Sequence, residues 1–210
     1  MGLLVVKLIS GQDLRQVQSG RTGGTNAMRA AGFWAGLATA SLDIVKGASG
    51  VWIAQALLPG NHWLEVLAPV ATIIGHNYSV FLIERTKSGG IRLGGGAGGA
   101  PSIGGAVGLW APSLLILVPA GALILFGIGF ASVTTMSLPI IAIIIFIVRA
   151  SIGLSPWIYI LYGVLAELLL LWSLRPNIKR LLNGTERLVG WRAKQNRRSK
   201  SRSNTVTHNS

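Results

Sequence analysis

Apolar positions in this chain run in blocks rather than in a helical stripe or an alternating strand pattern. Phe33 to Leu58, Leu64 to Ile83, Ile103 to Ala131 and Pro156 to Leu174 are each dominated by Leu, Ile, Val, Ala, Gly and aromatic residues. A hydrocarbon layer about 30 Å thick needs about 20 such residues in a helix, so these blocks predict membrane spans. Polar, glycine-rich stretches separate them, at Ser10 to Arg29 and at Glu84 to Pro101, and Pro59-Gly60-Asn61 makes a turn between the first two. Met1 to Ile9 is apolar apart from Lys7 but too short to span, with no signal-peptide cleavage pattern. It reads as an interfacial stub or the remnant of a longer first helix. Ser132 to Ser137 reads as a polar break after the third span, leaving Leu138 to Val148 too short to cross by itself. The pattern predicts an all-α, polytopic integral membrane bundle with cytoplasmic glycine-rich loops and half-helices.

Composition sharpens this picture. From Leu93 to Val148 the chain has 56 consecutive residues without Asp, Glu, Lys, Arg or His, which excludes a water-soluble domain. The net charge is +13, and ten of the 19 Lys and Arg residues lie between Arg175 and Arg202. A basic segment after a span follows from the positive-inside rule and from anionic lipid headgroups; no recognition motif accompanies it, so nucleic acid is not an expected partner. The same rule puts the loops with Arg15, Arg21 and Arg29 and with Arg85, Lys87 and Arg92 in the cytoplasm, together with a disordered tail over 191–210. The first two spans then run in–out–in. Parity makes Leu138 to Val148 a half-helix, a re-entrant piece or part of one bent span. Trp34, Trp63 and Trp172 fall near span ends, where amphipathic rings favour the interface. The absence of cysteine excludes disulfides and thiolate chemistry. No metal or other cofactor is expected, because His62 and His76 fall on opposite sides of the bilayer and His208 is in the tail.

Ionisable residues inside spans mark candidate sites, and Asp43, Lys46, His76 and Glu167 lie in or near them. Asp43 and Lys46, three apart on one helix face, are suited to pair. Three predicted cytoplasmic segments combine glycine or small hydroxyl residues with Arg or Lys. The first is Ser19-Gly20-Arg21-Thr22-Gly23-Gly24-Thr25-Asn26-Ala27-Met28-Arg29. The second joins Gly75-His76-Asn77-Tyr78-Ser79 to Gly94-Gly95-Gly96-Ala97-Gly98-Gly99-Ala100-Pro101-Ser102. The third runs from Arg175-Pro176-Asn177-Ile178 to Asn183-Gly184-Thr185-Glu186. Glycine lets backbone N–H groups approach an anion, and helix N-termini and Arg add positive potential. Such loops suit phosphate, although the Gly-Lys-[Ser/Thr] ending of a Walker loop is missing. Arg29 with Ser19, Thr25 and Asn26 forms the best phosphate cradle. His76 and Asn77 could bind substrate or assist proton transfer, and Asn177 could donate to a phosphate or hydroxyl. For Lys179 and Arg180, contact with headgroups is expected.

In this order the segments resemble the bacterial acyl-phosphate:glycerol-3-phosphate acyltransferases, the PlsY family. The first is similar to that family's Ser-Gly-Asn-x-Gly-x-Thr-Asn-x-x-Arg signature, with Arg21 where asparagine is usual. Leu42-Asp43-Ile44-Val45-Lys46-Gly47 resembles its Asp-x-x-Lys-Gly step, and Gly75-His76-Asn77-Tyr78-Ser79-Val80-Phe81 its Gly-His-x-x-x-x-Phe. The resemblance covers residues 10–190 and implies one membrane acyltransferase-like domain over 1–190 in the bacterial inner membrane, with its active face cytoplasmic. It implies transfer of a fatty acyl group from acyl phosphate to the sn-1 hydroxyl of glycerol 3-phosphate, in phospholipid biosynthesis. Ser19, Arg29, His76 and Asn177 become the candidate catalytic residues. Thr25, Asn26, Asn77, Arg92, Gly95, Gly96, Gly98, Ser102, Arg175 and Glu186 become candidates for holding substrate phosphate.

The departures from the family pattern are specific. Its second loop reads Lys-Gly-Gly-Lys-Gly-x-Ala-Thr, where this chain has Gly94, Gly95, Gly96, Ala97, Gly98, Gly99, Ala100 and Pro101. Both lysines and the threonine are absent, and the histidine usual before the third-motif arginine is Leu174. Roles assigned to those side chains do not carry over; Arg92, Lys87 and Lys179 are candidates for replacement charge. Two other readings keep the membrane fold: a non-catalytic family member that binds phospholipid precursors, and a small anion transporter. The topology has a direct test in this cysteine-free background. Single cysteines at Ser19, Ser88 and Ser203 should react with an impermeant maleimide only from the cytoplasmic side, and external labelling of Ser88→Cys would overturn the orientation.

Overall fold

A computed structural model describes residues 1–85, 89–189, 192 and 193, together with the backbone but not the side chains of Glu84 and Arg92. Lys87, Ser88 and the tail expected to be disordered lie outside the described residues, apart from Arg192 and Ala193. The described residues form eight α-helices: α1 (Gly2–Ser10), α2 (Gly24–Ala31), α3 (Phe33–Leu57), α4 (His62–Asn77), α5 (Gly99–Leu109), α6 (Leu114–Ile128), α7 (Ala131–Ser151) and α8 (Tyr159–Leu182). Short 3₁₀ turns at Leu14–Gln16 and Ala111–Ser113 connect some of them. A small antiparallel hairpin, β1 (Ile83–Arg85) with β2 (Ile91–Leu93), occupies part of the expected loop, with Glu84 opposite Arg92.

Three segments, Ala111–Ile128, Ala131–Ser151 and Tyr159–Leu182, are long and apolar enough to cross a membrane. Leucines that a soluble protein would bury point outward, with Leu115 77% and Leu123 75% exposed. A belt of this kind is stable against lipid tails and not against water. The core lies between helices. Val66, Val70 and Ile73 of α4 meet Ile103 and Ala106 of α5, Phe146 of α7, and Tyr162 and Leu170 of α8.

Three of the expected boundaries are different in the structure. The predicted second span stops at Asn77, six residues early, because the chain turns into the hairpin. The predicted third span is two helices, broken where Trp110 is extended (φ −157°, ψ 103°) and followed by Pro112. No polar residue marks that break clearly, because both arms are apolar. The expected polar break at Ser132 to Ser137 is instead the start of α7. Thr134 and Ser137 give their hydroxyls to the carbonyls four residues back, at 3.2 and 2.9 Å, so these two hydroxyls are satisfied inside the helix. The true stop is Gly129 (φ +88°), which caps α6 in the left-handed region.

Contacts fix the directions of these helices. Thr135, near the start of α7, lies against Gly99 at the start of α5, while Arg149 near its end stacks 4.2 Å over Trp110. Gly121 of α6 faces Leu138, and the amide of Val189, after α8, donates to the carbonyl of Gly129 at 2.8 Å. α5, α6 and α7 therefore run up, down and up, and α8 returns to the end where α5 began. Parity is met by these four passes, with no half-span over Leu138 to Val148. The third motif rides on the last turns of α8, which continues through Pro176 to Leu182.

Glycine sets how closely α3 and α5 approach. A Cβ on Gly104 would fall 2.0 Å from the Ile44 carbonyl oxygen, and one on Gly47 would fall 2.3 Å from that of Pro101. Helices in lipid gain from tight van der Waals contact between small residues rather than from the hydrophobic effect. Val6 of α1, Leu14 of the first 3₁₀ turn and Ala27 of α2 form a separate apolar cluster that packs the N-terminal helix against the first loop. Gly104→Val should force α5 off α3 and destabilise the bundle by about 1–3 kcal/mol. A lowered melting temperature in detergent checks this against Gly127→Val, where an added Cβ meets nothing within 4 Å.

Candidate active site

The three segments read as phosphate-binding meet at one end of the bundle. The second lies on the C-terminal end of α4: the Gly96 amide donates to the His76 carbonyl at 2.9 Å, and the Ser79 amide donates to Gly94 at 2.9 Å. The Thr22 amide donates to the Gly95 carbonyl at 3.1 Å, joining the first segment to the second. Close approach explains the glycines here. A Cβ on Gly95 would lie 2.4 Å from the carbonyl oxygens of His76 and Asn77, and one on Gly96 would fall on His76 Nε2. Gly98 (φ +89°) adopts the left-handed conformation against Leu170 and the Asn77 side chain.

Beneath this loop sits a polar cluster. Lys46 Nζ lies 3.1 Å from Asp43 Oδ1 and 2.9 Å from His76 Nδ1, and Asp43 Oδ1 is 3.5 Å from that ring nitrogen. The expected Asp43–Lys46 pair is formed. Nδ1 accepts from Lys46 in the Nε2–H tautomer and donates toward Asp43 in the Nδ1–H tautomer, while Nε2 lies under Gly96. Asp43 is fully buried and His76 nearly so. Asn77 is buried with neither side-chain atom hydrogen-bonded among the described residues. Glu167, two turns along α8 from Tyr159, is half-buried with Oε2 unpartnered.

Arg21 ties the segments together. Its Nη1 donates to the Gly96 carbonyl at 2.9 Å and to Ser173 Oγ at 3.0 Å, and Nη2 donates to the Ser173 carbonyl at 2.6 Å. Sequence reasoning did not select it; the only signal was its departure from the asparagine usual at that place. One turn beyond Ser173, Asn177 Nδ2 donates to Glu186 Oε1 at 3.0 Å, and Arg180 Nε donates to Oε2 at 3.0 Å. Arg180 is thus held by a carboxylate that is 5% exposed. Arg29 faces the same corner. Burial and the neighbouring Arg187 lower its pKa and Glu186 raises it, yet an arginine so placed stays charged. Thr25 is four residues before Arg29 and shares its face of α2.

Other candidates take structural places. Asn26 Nδ2 reaches the carbonyls of Val17 and Arg21, both at 2.9 Å, and of Leu14 at 3.3 Å, so its donors shape the first loop. Ser19 Oγ accepts from the Arg21 amide at 3.4 Å, half-buried. Ser102 gives its hydroxyl to Gly99 at 2.8 Å while its carbonyl accepts from Tyr162 at 2.6 Å. Arg175 is exposed and stacks 4.2 Å over Trp172, two residues round the helix from Ser173, and so stands apart from the cluster. The side chain of Arg92 lies outside the described residues.

The fold is that of an integral membrane helical bundle whose glycine-rich segments meet at one end. The family model for glycerol-3-phosphate acyltransferases matches residues 1–184. A glycerol-3-phosphate acyltransferase of Thermus thermophilus is 37% identical over 200 residues, covering 91% of this chain and 89% of that one. Glycerol-3-phosphate acyltransferase 3 of Dehalococcoides mccartyi is 34% identical over 207 residues, covering 92% and 90%. Among solved structures, PlsY (YgiH), an integral membrane glycerol 3-phosphate acyltransferase crystallised in its glycerol 3-phosphate form, superposes with a TM-score of 0.73 at 28% identity, over 90% of this chain and 88% of that one. Its lysophosphatidic acid form gives 0.71 at 26% identity. The chain belongs to the glycerol-3-phosphate acyltransferase family.

Arg29 offers a test that separates phosphate binding from membrane anchoring. Arg29→Lys keeps the charge and loses the planar fork. If Arg29 binds substrate, phosphate release should fall about tenfold or more, as loss of a hydrogen bond worth about 1.5–3 kcal/mol requires. Wild-type turnover in a normally expressed Arg29→Lys protein would remove Arg29 from the site.

Proposed function

We propose that this protein transfers a fatty acyl group from acyl phosphate to the sn-1 hydroxyl of glycerol 3-phosphate, giving 1-acylglycerol 3-phosphate and inorganic phosphate. The observation that carries the reading is the meeting of three glycine, hydroxyl and arginine segments at one bundle end, around Arg21 and His76 on one side and Arg29 and Asn177 on the other. The likeness to a protein solved in glycerol 3-phosphate and lysophosphatidic acid forms supports it. The site belongs to the cytoplasmic face of a bacterial inner membrane, with the basic chain end against anionic headgroups.

The chemistry makes limited demands. An acyl phosphate is already activated, so no covalent nucleophile is needed. The sn-1 hydroxyl oxygen bonds to the carbonyl carbon, the bond from that carbon to the phosphate oxygen breaks, and the hydroxyl proton leaves with phosphate. The protein must bring two anions together and hold hydroxyl beside carbonyl, which positioning rewards by up to about 7–11 kcal/mol. Arg29 and Asn177, braced by Glu186, suit one phosphate, with Thr25 on the same helix face. The loop of Gly95, Gly96 and Gly98, with Ser19 and Asn77, lines the approach to the other. His76 acts as a positioning residue, its ring supporting Gly96. The acyl chain lies along the apolar helix walls.

A second reading, binding of phospholipid precursors without turnover, is favoured by Gly94 and Ala97 at the family's lysine positions. One assay separates them. Purified protein should release phosphate from acyl phosphate only when glycerol 3-phosphate is present, and acyl-coenzyme A should not replace the donor. Equal rates with both donors would overturn the acyl-phosphate mechanism, and no turnover with either would leave the binding reading.

A further inference from the structure

Gly94 to Ser102 include no ionisable residue, so this stretch of the second loop brings no charge of its own to a site that must hold two phosphate groups. Positive charge beside this stretch has to arrive from residues outside it. We propose that Arg21 supplies it, and that it replaces functionally the family lysine whose position is Ala97. The proposal rests on the acyl-transfer reading above.

The geometry points to Arg21 specifically. Its guanidinium is laid on the carbonyl of Gly96, the residue immediately before Ala97, and is fixed from the other side by both the hydroxyl and the carbonyl of Ser173. The neighbouring Thr22 amide donates to Gly95, so the two chains run together here and place the Arg21 side chain on this stretch of loop. Two other cations of the cluster are committed elsewhere, Lys46 to Asp43 and His76 beneath the loop and Arg180 to Glu186, and Arg29 faces the Glu186 corner rather than Gly96. Two departures from the family pattern are therefore one exchange. A lysine reaching out from the loop has become an arginine reaching in from the preceding segment, and the asparagine place at 21 has changed with it. A planar guanidinium suits the exchange because it donates in fixed directions to backbone and hydroxyl oxygens while keeping its charge.

The test is an exchange of charge positions in the purified full-length protein, read as phosphate release and as inhibition by inorganic phosphate. Wild type must turn over; if it does not, the acyl-transfer reading fails. Given turnover, Arg21→Asn should lower kcat/KM by roughly tenfold to a hundredfold, the range for losing a hydrogen bond to a charged group, and weaken inhibition by phosphate. Arg21→Asn with Ala97→Lys should recover most of both. A merely structural stitch would not recover, because a lysine on residue 97 does not restore the bonds to Ser173. Ala97→Lys alone should change turnover by less than about threefold, since the charge is already present; this variant keeps the proposal testable if Arg21→Asn fails to fold. Wild-type behaviour of Arg21→Asn, a double variant no better than the single one, or a large gain from Ala97→Lys alone would each overturn the proposal. So would loss of activity on Arg92→Gln with Arg21→Asn unaffected.

Discussion

The site depends on one close contact: the backbone of Gly95 and Gly96 lies directly on the last turn of α4, on the carbonyls of His76 and Asn77 and on the His76 ring. A side chain at either glycine would collide with those atoms. Everything above that contact follows from it. The loop can accept the Thr22 amide only because it lies low, and Arg21 reaches Gly96 and Ser173 together only because the loop and α8 are held at one distance. Below it, the Lys46–Asp43–His76 cluster fixes the ring on which the loop rests.

Buried charge inside a membrane protein is tolerated when each charged group meets an opposite one and the remaining polar atoms are bonded. Lys46 and Asp43 satisfy the first condition one helical turn apart, and Arg180, Asn177 and Glu186 do so at the end of α8. The second cluster begins at Asn177, one turn beyond the Ser173 that holds Arg21. α8 thus joins the loop carrying Gly96 to the corner facing Arg29. Glycine at the α3–α5 contact plays the corresponding part in the lipid-facing body, where close backbone approach replaces hydrophobic driving force.

What the sequence by itself determined is local. Uncharged blocks defined membrane segments because a bilayer filters composition directly, and glycine and hydroxyl motifs defined candidate anion loops because backbone access requires small residues. The Asp43–Lys46 pair was legible from a spacing of three. Within the apolar stretch from Leu93 to Val148 no charged residue marks where one helix ends and the next begins, although α5 is rich in glycine and α6 in leucine and isoleucine. Ser132 to Ser137 misled for a related reason, since hydroxyls that bond within a helix look the same in sequence as those that break one. The tertiary structure alone decided which donors remain for substrate. It spent the Asn26 amide on loop carbonyls and turned Arg175 onto Trp172. It carried Arg21 to Gly96 and Ser173, 75 and 152 residues away, a distance at which no local pattern records a partner.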